Sequence, residues 1–315
     1  MEPEIPDFQE IQIRKSKQRR KKASKNASTR RGWFKKLIGG IVATLAGGAY
    51  LRFEANWLET TKKTVKLDHF RKDAKVKVLH LSDLHLSSVV SVDDIDFALK
   101  EGFQRSPDVM FLTGDFITGQ LPDTEFQKLG KCLVKYASQV PTFATLGNHD
   151  GGSWAAERGG YKTPDRVKAM LASAKVNLLD NRTQSIFIKG QPIVLTGVGD
   201  YWSESCKPKG CLHLINPKMP KKPAVTVLLC HNPDAKELLK GYDWDLMLCG
   251  HTHGGQFKIP FSGYAPFAPV MDRSMTEGLH QWEGRQIHVT RGVGNLYGIR
   301  LNCRPEISLL ELVST

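Results

Sequence analysis

Seven residues of the types that hold transition metals stand in five short words along the chain: Asp83 and His85 in SDLH, Asp115 in TGD, Asn148 in GNHD, His231 in CHNPD, and His251 and His253 in GHTH. Two carboxylates, one amide and four imidazoles are enough to hold two ions with water between them. Mixed nitrogen and oxygen ligands suit Mn, Fe, Zn, Ni or Co better than Ca. Ions about 3.5–4 Å apart lower the pKa of a bridging water and clamp phosphoryl oxygens, so the chemistry in reach is hydrolysis of a phosphate ester. Asp115 is the natural bridging carboxylate, because each of its oxygens can take one ion, and Gly114 lets the backbone turn tightly before it. His149, next to Asn148, is placed to bind phosphate or to protonate the leaving group. Singly, Asp115 or Asn148 would read as a turn residue and His231 as a satisfied polar group; turn chemistry does not account for all seven in order.

The elements that must position these residues are strands. Lys75–Leu81, Val109–Thr113, Thr142–Leu146, Ala224–Cys230 and Asp245–Cys249 are apolar runs, and each ends just before a proposed ligand. Ligands in loops after the C-terminal ends of strands converge at one sheet edge, where α/β proteins place their sites. Between the strands lie helical segments at Asp93–Arg105, with Asp93 as its expected N-cap, and at Asp123–Gln139. Ser185–Lys189 and Ile193–Val198 read as antiparallel strands turned at Gly190, and Gln286–Thr290 with Ile307–Leu312 as a closing pair. The pattern is an α/β chain of two stacked sheets with helices outside.

In identity, order and approximate spacing, DLH, GD, GNHD, the later His and GHTH resemble the calcineurin-like metallophosphoesterases, over about 240 residues from Lys75 onward. That resemblance implies a four-layer αββα sandwich and two divalent metal ions, Mn first among them. By position, one ion would take Asp83, His85, Asp115 and His253, and the other Asp115, Asn148, His231 and His251. GHTHGGQFKIP at 250–260, HNPD at 231–234, RGVG at 291–294 and RLNCRPEI at 300–307 narrow the likeness to a membrane-attached bacterial branch. Within it the chain is similar to the UDP-2,3-diacylglucosamine pyrophosphatases of lipid A synthesis. The commoner pyrophosphatase of that step carries Arg where His149 stands here. The implied substrate is an acylated nucleotide sugar held at the bacterial inner membrane, with the catalytic domain facing the cytoplasm, or the extracytoplasmic side if the apolar segment spans. Gly151–Pro164 and Tyr201–Pro223 are the segments that can shape acyl and headgroup sites, and both also read as ordinary surface loops. A phosphodiesterase of broader specificity, a nuclease and a non-catalytic scaffold are the other readings; the last is disfavoured by the intact ligand set.

The net charge of +13 is not a nucleic-acid signal, because residues 14–36 alone hold twelve Lys or Arg and no acid. The charge belongs to a tail and not to a basic groove. Residues 1–32 read as a disordered basic arm, 33–58 as an apolar membrane-attachment segment, and 73–315 as the catalytic domain. The apolar run Leu37–Leu51, flanked by Trp33 and Phe34, is compatible with a spanning helix, an interfacial anchor, a cleaved export signal or a buried helix. Thr29–Lys36 resembles a twin-arginine signal, with no AxA cleavage site after it. The six cysteines form no disulfide framework. His80 and His288, on strands outside the motifs, read as packing residues.

Overall fold

The computed structural model describes residues 8–215 and 224–315. The first residues of the expected arm, 1–7, and the end of the Tyr201–Pro223 segment, 216–223, lie outside the described residues. The chain divides into two compact units, Met1–Leu51 and Arg52–Thr315.

Helix α1, Phe8–Asn56, accounts for the first unit and supplies the opening turn of the second. It contains no proline, and its Lys, Arg, Gln and Ala are strong helix formers. From Phe8 onward the backbone is therefore helical where the sequence suggested a disordered arm. Lack of a core does not prevent a helix from pairing its own backbone groups. Leu37, Ile38, Ile41, Val42 and Leu45 are exposed on it. Among the described residues no helix is long and apolar enough to cross a membrane: an apolar run of this length spans about 22 Å against the roughly 30 Å of a bilayer core.

The second unit runs β1 (Glu59–Leu67), β2 (Val76–Leu81), α2 (Val92–Phe103), β3 (Val109–Thr113), α3 (Asp123–Ala137), β4 (Thr142–Thr145), α4 (Ser153–Glu157), α5 (Asp165–Ser173), β5 (Asn177–Leu178), β6 (Arg182–Ile188), β7 (Gln191–Gly197), β8 (Val225–Leu229), β9 (Leu246–Cys249), β10 (Gly278–Trp282), β11 (Arg285–Val289) and β12 (Glu306–Ser314). Among the described residues the strands form two six-stranded sheets, ordered β1-β12-β2-β3-β4-β5 and β10-β11-β9-β8-β7-β6. Both are mixed. β2 to β5 run parallel with β12 antiparallel to β2; β7, β8, β9 and β11 run parallel with antiparallel edges β6 and β10.

One apolar layer fills the space between the sheets, with Val78, Val109, Phe111 and Phe143 from one facing Val225, Val227, Leu246 and Leu248 from the other. Helices α2, α3 and α5 cover the outer face of the first sheet through Leu99, Leu129, Leu133 and Leu171. On the second sheet the outer layer is the short 3₁₀ segment Pro233–Lys236 and the chain that follows it, packed through Ala235, Leu239 and Trp244. Helices thus flank two mixed sheets, as expected. With both faces covered, β3 and β8 are buried along their whole length, which is why they read as unbroken apolar runs rather than alternating ones.

Three details depart from the sequence reading. The N-cap of α2 is Ser91, not Asp93, and Ser91 closes a capping box with Asp94. The expected closing pair sits in different sheets: β11 pairs with β9 and β10, whereas β12 pairs with β1 and β2. And the catalytic unit starts at Arg52, ahead of residue 73, because β1 pairs in parallel with β12 over its whole length.

Candidate metal centre

Strands β2, β3, β4, β8 and β9 end at one edge of the stacked sheets, and the residues just beyond them are the seven singled out in the sequence. Five of these have left-handed backbones: Asp83 (φ 54°), His85 (φ 48°), Asp115 (φ 55°), His251 (φ 70°) and His253 (φ 52°). A non-glycine residue there costs about 1 kcal/mol or more, and such strain gathers at sites whose surroundings over-determine it. The loops bind one another. Asp83 donates its N–H to Gly114 O at 2.9 Å, His85 to Asp115 O at 3.0 Å, Gly294 to Asp83 O at 2.7 Å and Gly250 to His231 O at 3.0 Å. The His251 N–H points between the two Asp83 carboxylate oxygens, at 3.0 and 3.1 Å. Gly250 is required by this approach, since a Cβ there would lie on Ser82 Oγ and the Asp83 carboxylate.

The side chains converge in two overlapping groups. In the first, His85 Nε2 and His253 Nε2 are 3.0 Å apart, and Asp83 Oδ1 lies 3.7 and 3.4 Å from them. In the second, His231 Nε2 is 3.2 Å from Asp115 Oδ2 and 3.2 Å from His251 Nδ1. Asp115 Oδ2 is also 3.6 Å from His85 Nε2, so this carboxylate stands between the groups. Asn148 Oδ1 is buried and accepts no hydrogen bond from the described residues. All seven residues are buried, and Asp83, His85 and His253, like Asp83, Asp115 and His231, are close enough to share a cation.

The donor chemistry fits divalent metal. His231 Nδ1 donates to Thr113 O at 2.6 Å, which fixes the tautomer that leaves Nε2 with its lone pair facing inward. His85 Nδ1 meets Thr118 Oγ1 at 2.7 Å, so its Nε2 is turned inward too. Orienting partners of this kind accompany histidines that ligate metal. Inward lone pairs of two imidazoles at 3.0 Å repel unless a proton or cation lies between them.

Charge is distributed accordingly. Burial pushes the Asp115 carboxyl up, but the positive field of His231 and the hydrogen bond from its ring outweigh it and hold it well below the usual carboxylate range. For Asp83 burial is likewise outweighed, by His253 and His85. Burial pushes His251 down to about 3. His231 goes the other way: burial lowers it, and the Asp115 charge more than restores it, so Nε2 shares a proton with Asp115 and presents its lone pair once a cation takes that proton's place.

His149 donates its backbone N–H to Asp115 Oδ1 at 2.8 Å. Its ring stands edge-on between His85 and Trp154, with centroids 4.9 and 4.6 Å away. Burial pushes it down to about 4, with Asp115 pulling the other way. The ring is therefore neutral near pH 7, with one N–H to donate and one nitrogen free to accept.

Two supporting residues went unread in the sequence. The buried Asp150 carboxylate, last letter of GNHD, accepts the N–H groups of Asp115, Phe116 and Gly147 at 2.7–2.9 Å and so ties the β3 and β4 loops together. Burial, and then the charge of Asp115, push it up to about 7. Arg300, fully buried, donates to the carbonyls of His253, Cys303, Arg291 and Gly294 at 2.6–3.1 Å. It clamps RGVG and RLNC onto GHTH.

A cavity of about 430 Å³ opens over the centre, floored by Asp115, Asn148, His149, His251 and His253. Its walls are mostly apolar, with Trp154, Trp202, Phe257, Phe267, Leu296 and Tyr297, and Thr252 and Gln256 are polar members of the lining. Trp202 stands edge-on to His251 at 4.2 Å. Trp154 and Trp202 come from the two loops marked in the sequence. The remaining wall residues carried no signal, because nothing in their type distinguishes a cavity wall from a core.

A family model described as calcineurin-like phosphoesterase matches residues 76–255. The phosphodiesterase YaeI of Escherichia coli is 37% identical, the match covering 89% of this chain and 98% of the relative. The metallophosphoesterase YkuE of Bacillus subtilis is 29% identical over 90% and 96%. The UDP-2,3-diacylglucosamine pyrophosphatase LpxG of Chlamydia trachomatis is 24% identical over 75% and 83%. On the family model and the E. coli relative, the chain belongs to the calcineurin-like phosphoesterases, metal-dependent hydrolases of phosphoesters.

Proposed function

We propose that the protein hydrolyses the pyrophosphate of UDP-2,3-diacylglucosamine to UMP and 2,3-diacylglucosamine 1-phosphate, at the cytoplasmic face of a bacterial inner membrane. The observation that carries this reading is the pairing of a phosphoester-hydrolysing centre with six apolar wall residues in one cavity, which suits a substrate both phosphorylated and acylated. The likeness to LpxG supports it. In this reading Asp83, His85, Asp115 and His253 hold one ion, and Asp115, Asn148, His231 and His251 the other. When bound, two such ions supply an activated water and neutralise phosphoryl charge. The chain's residues do the rest. Asp115 fixes the spacing of the two halves, His149 donates its ring N–H to a phosphoryl oxygen, and Trp154 with Trp202 excludes bulk water. Water adds to one phosphorus, the bridging P–O bond breaks with its electron pair on the leaving phosphate, and the proton released by the water passes to that phosphate through His149, which takes it on its free ring nitrogen and gives it up.

The stronger likeness to YaeI favours a second reading, a phosphodiesterase of broader specificity. Mass spectrometry of products formed from UDP-2,3-diacylglucosamine across a panel of metals separates the two. UMP with the acylated sugar phosphate is expected; hydrolysis confined to small soluble diesters would leave only the second. Protease protection in sealed vesicles tests the orientation, and a catalytic unit cleaved only from the extracytoplasmic side would contradict the lipid A reading.

A further inference from the structure

Six of the exposed apolar side chains of the catalytic unit lie on two segments that also line the cavity, through Phe257, Phe267 and Pro269 on one and Leu296 and Tyr297 on the other. Ile259, Phe261, Tyr264, Phe267 and Met271 all project from one loop, and Tyr297 from the other rim. Phe261 is fully exposed, at 111% of its reference area. It sits near the tip of a turn closed by Ile259 N–H to Tyr264 O at 2.8 Å and Gly263 N–H to Ile259 O at 3.1 Å, with a left-handed backbone at φ 68°. Bulky aromatic residues avoid that conformation, and turn tips favour Gly, Asn or Asp. The loop is built rather than slack. The Met271 N–H is held by both Asp234 carboxylate oxygens at 3.0 and 3.1 Å, and Arg273 donates to the carbonyls of Ala265 and Ala268 at 3.1 and 2.8 Å. Asp234 belongs to HNPD and Ala265 packs over Gly255 of GHTHGG, so the motifs that frame the centre also hold this apolar tip out into solvent.

We propose that this face docks on a lipid surface, with Ile259, Phe261 and Met271 dipping among the acyl chains, so that a substrate passes from the bilayer along Phe267 and Tyr297 to the metal centre. One observation points to lipid and not to a protein. Phe267 and Tyr297 belong both to the exposed patch and to the cavity's own apolar wall, so the patch runs into the cavity, as a path for a chain-bearing molecule must. The proposal rests on the lipid-substrate reading above and adds the surface that delivers the lipid.

Hydrogen exchange on the full chain, with and without vesicles of phosphatidylethanolamine and phosphatidylglycerol, tests it. Exchange across residues 257–271 is expected to slow when vesicles are added. The double variant Phe261→Asp, Met271→Asp is expected to lose that protection and at least about tenfold in vesicle affinity, while its hydrolysis of a small soluble diester stays at the wild-type rate and shows that it is folded. Vesicle binding with no slowing in 257–271 would overturn the proposal. So would slowing that follows protein concentration without vesicles, which would mark a contact between copies of the chain. Exchange needs no turnover, so a protected loop in an enzyme inactive on UDP-2,3-diacylglucosamine refutes the substrate alone, and an unprotected loop in an active one refutes the docking alone.

Discussion

The metal-type residues are legible in the sequence because coordination admits few side chains, and four of them sit two positions past a strand end. Asp150 and Arg300 are not legible, for a physical reason. Each acts on backbone groups, Asp150 on three N–H donors and Arg300 on four carbonyls, and a residue that binds backbone leaves no partner motif elsewhere in the chain. His149 was legible by position, but not its neutrality, which comes from burial. In the proposed reaction its ring contributes hydrogen bonding and proton transfer, although His85, Asp115 and His149 also stand close enough to share a cation. His149→Ala is therefore expected to lower kcat by about 10²–10⁴-fold while metal content by elemental analysis stays at the wild-type value; a fall in metal content would make it a ligand instead.

Among the elements, the buried parallel strands were read to within a residue or two, since being covered on both faces makes them plain apolar runs. β1 was missed because ETTKKTVKL carries Lys62, Lys63 and Lys66, the composition of a protected sheet edge and not of a core. β5 is only two residues long. The loops after the strands matter more to the site than the strands themselves, as Gly250 shows. Gly250→Ala would press a methyl against Ser82 and the Asp83 carboxylate, either displacing that carboxylate or moving the GHTH turn. Changes around a metal's ligands commonly cost 10–100-fold in affinity, and about that loss is expected here in a chelator competition titration. Unchanged affinity would mean that the turn is not held against Asp83 as described.

On the scale of the molecule, the two-sheet layout followed from the strand–helix alternation, but the partition of β11 and β12 between the sheets did not, because pairing across the chain leaves no local pattern. One consequence of stacking the sheets concerns pH. His80 of β2 and His288 of β11 meet Nδ1 to Nδ1 at 3.1 Å across the core. Burial pushes His288 down to about 4, and burial followed by the His288 field pushes His80 well below its usual value. Unfolded histidine titrates near 6.5, so the unfolded chain takes up these protons first. The stabilisation is present above about pH 6.5 and is lost as pH falls from there towards 4. Between pH 7.5 and 5 the wild type is expected to lose about 2 kcal/mol more unfolding free energy than His288→Gln, measured by denaturant titration. Equal losses would show that the pair is not buried neutral.

The central claim is that Asp115 joins two metal sites in one hydrolytic centre. Elemental analysis of metal-loaded protein, alongside diester hydrolysis, tests it most directly. The wild type is expected to hold two ions per chain, and Asp115→Asn to hold fewer and to lose hydrolysis by at least about 10³-fold. One ion in the wild type, or undiminished hydrolysis in the variant, would contradict it.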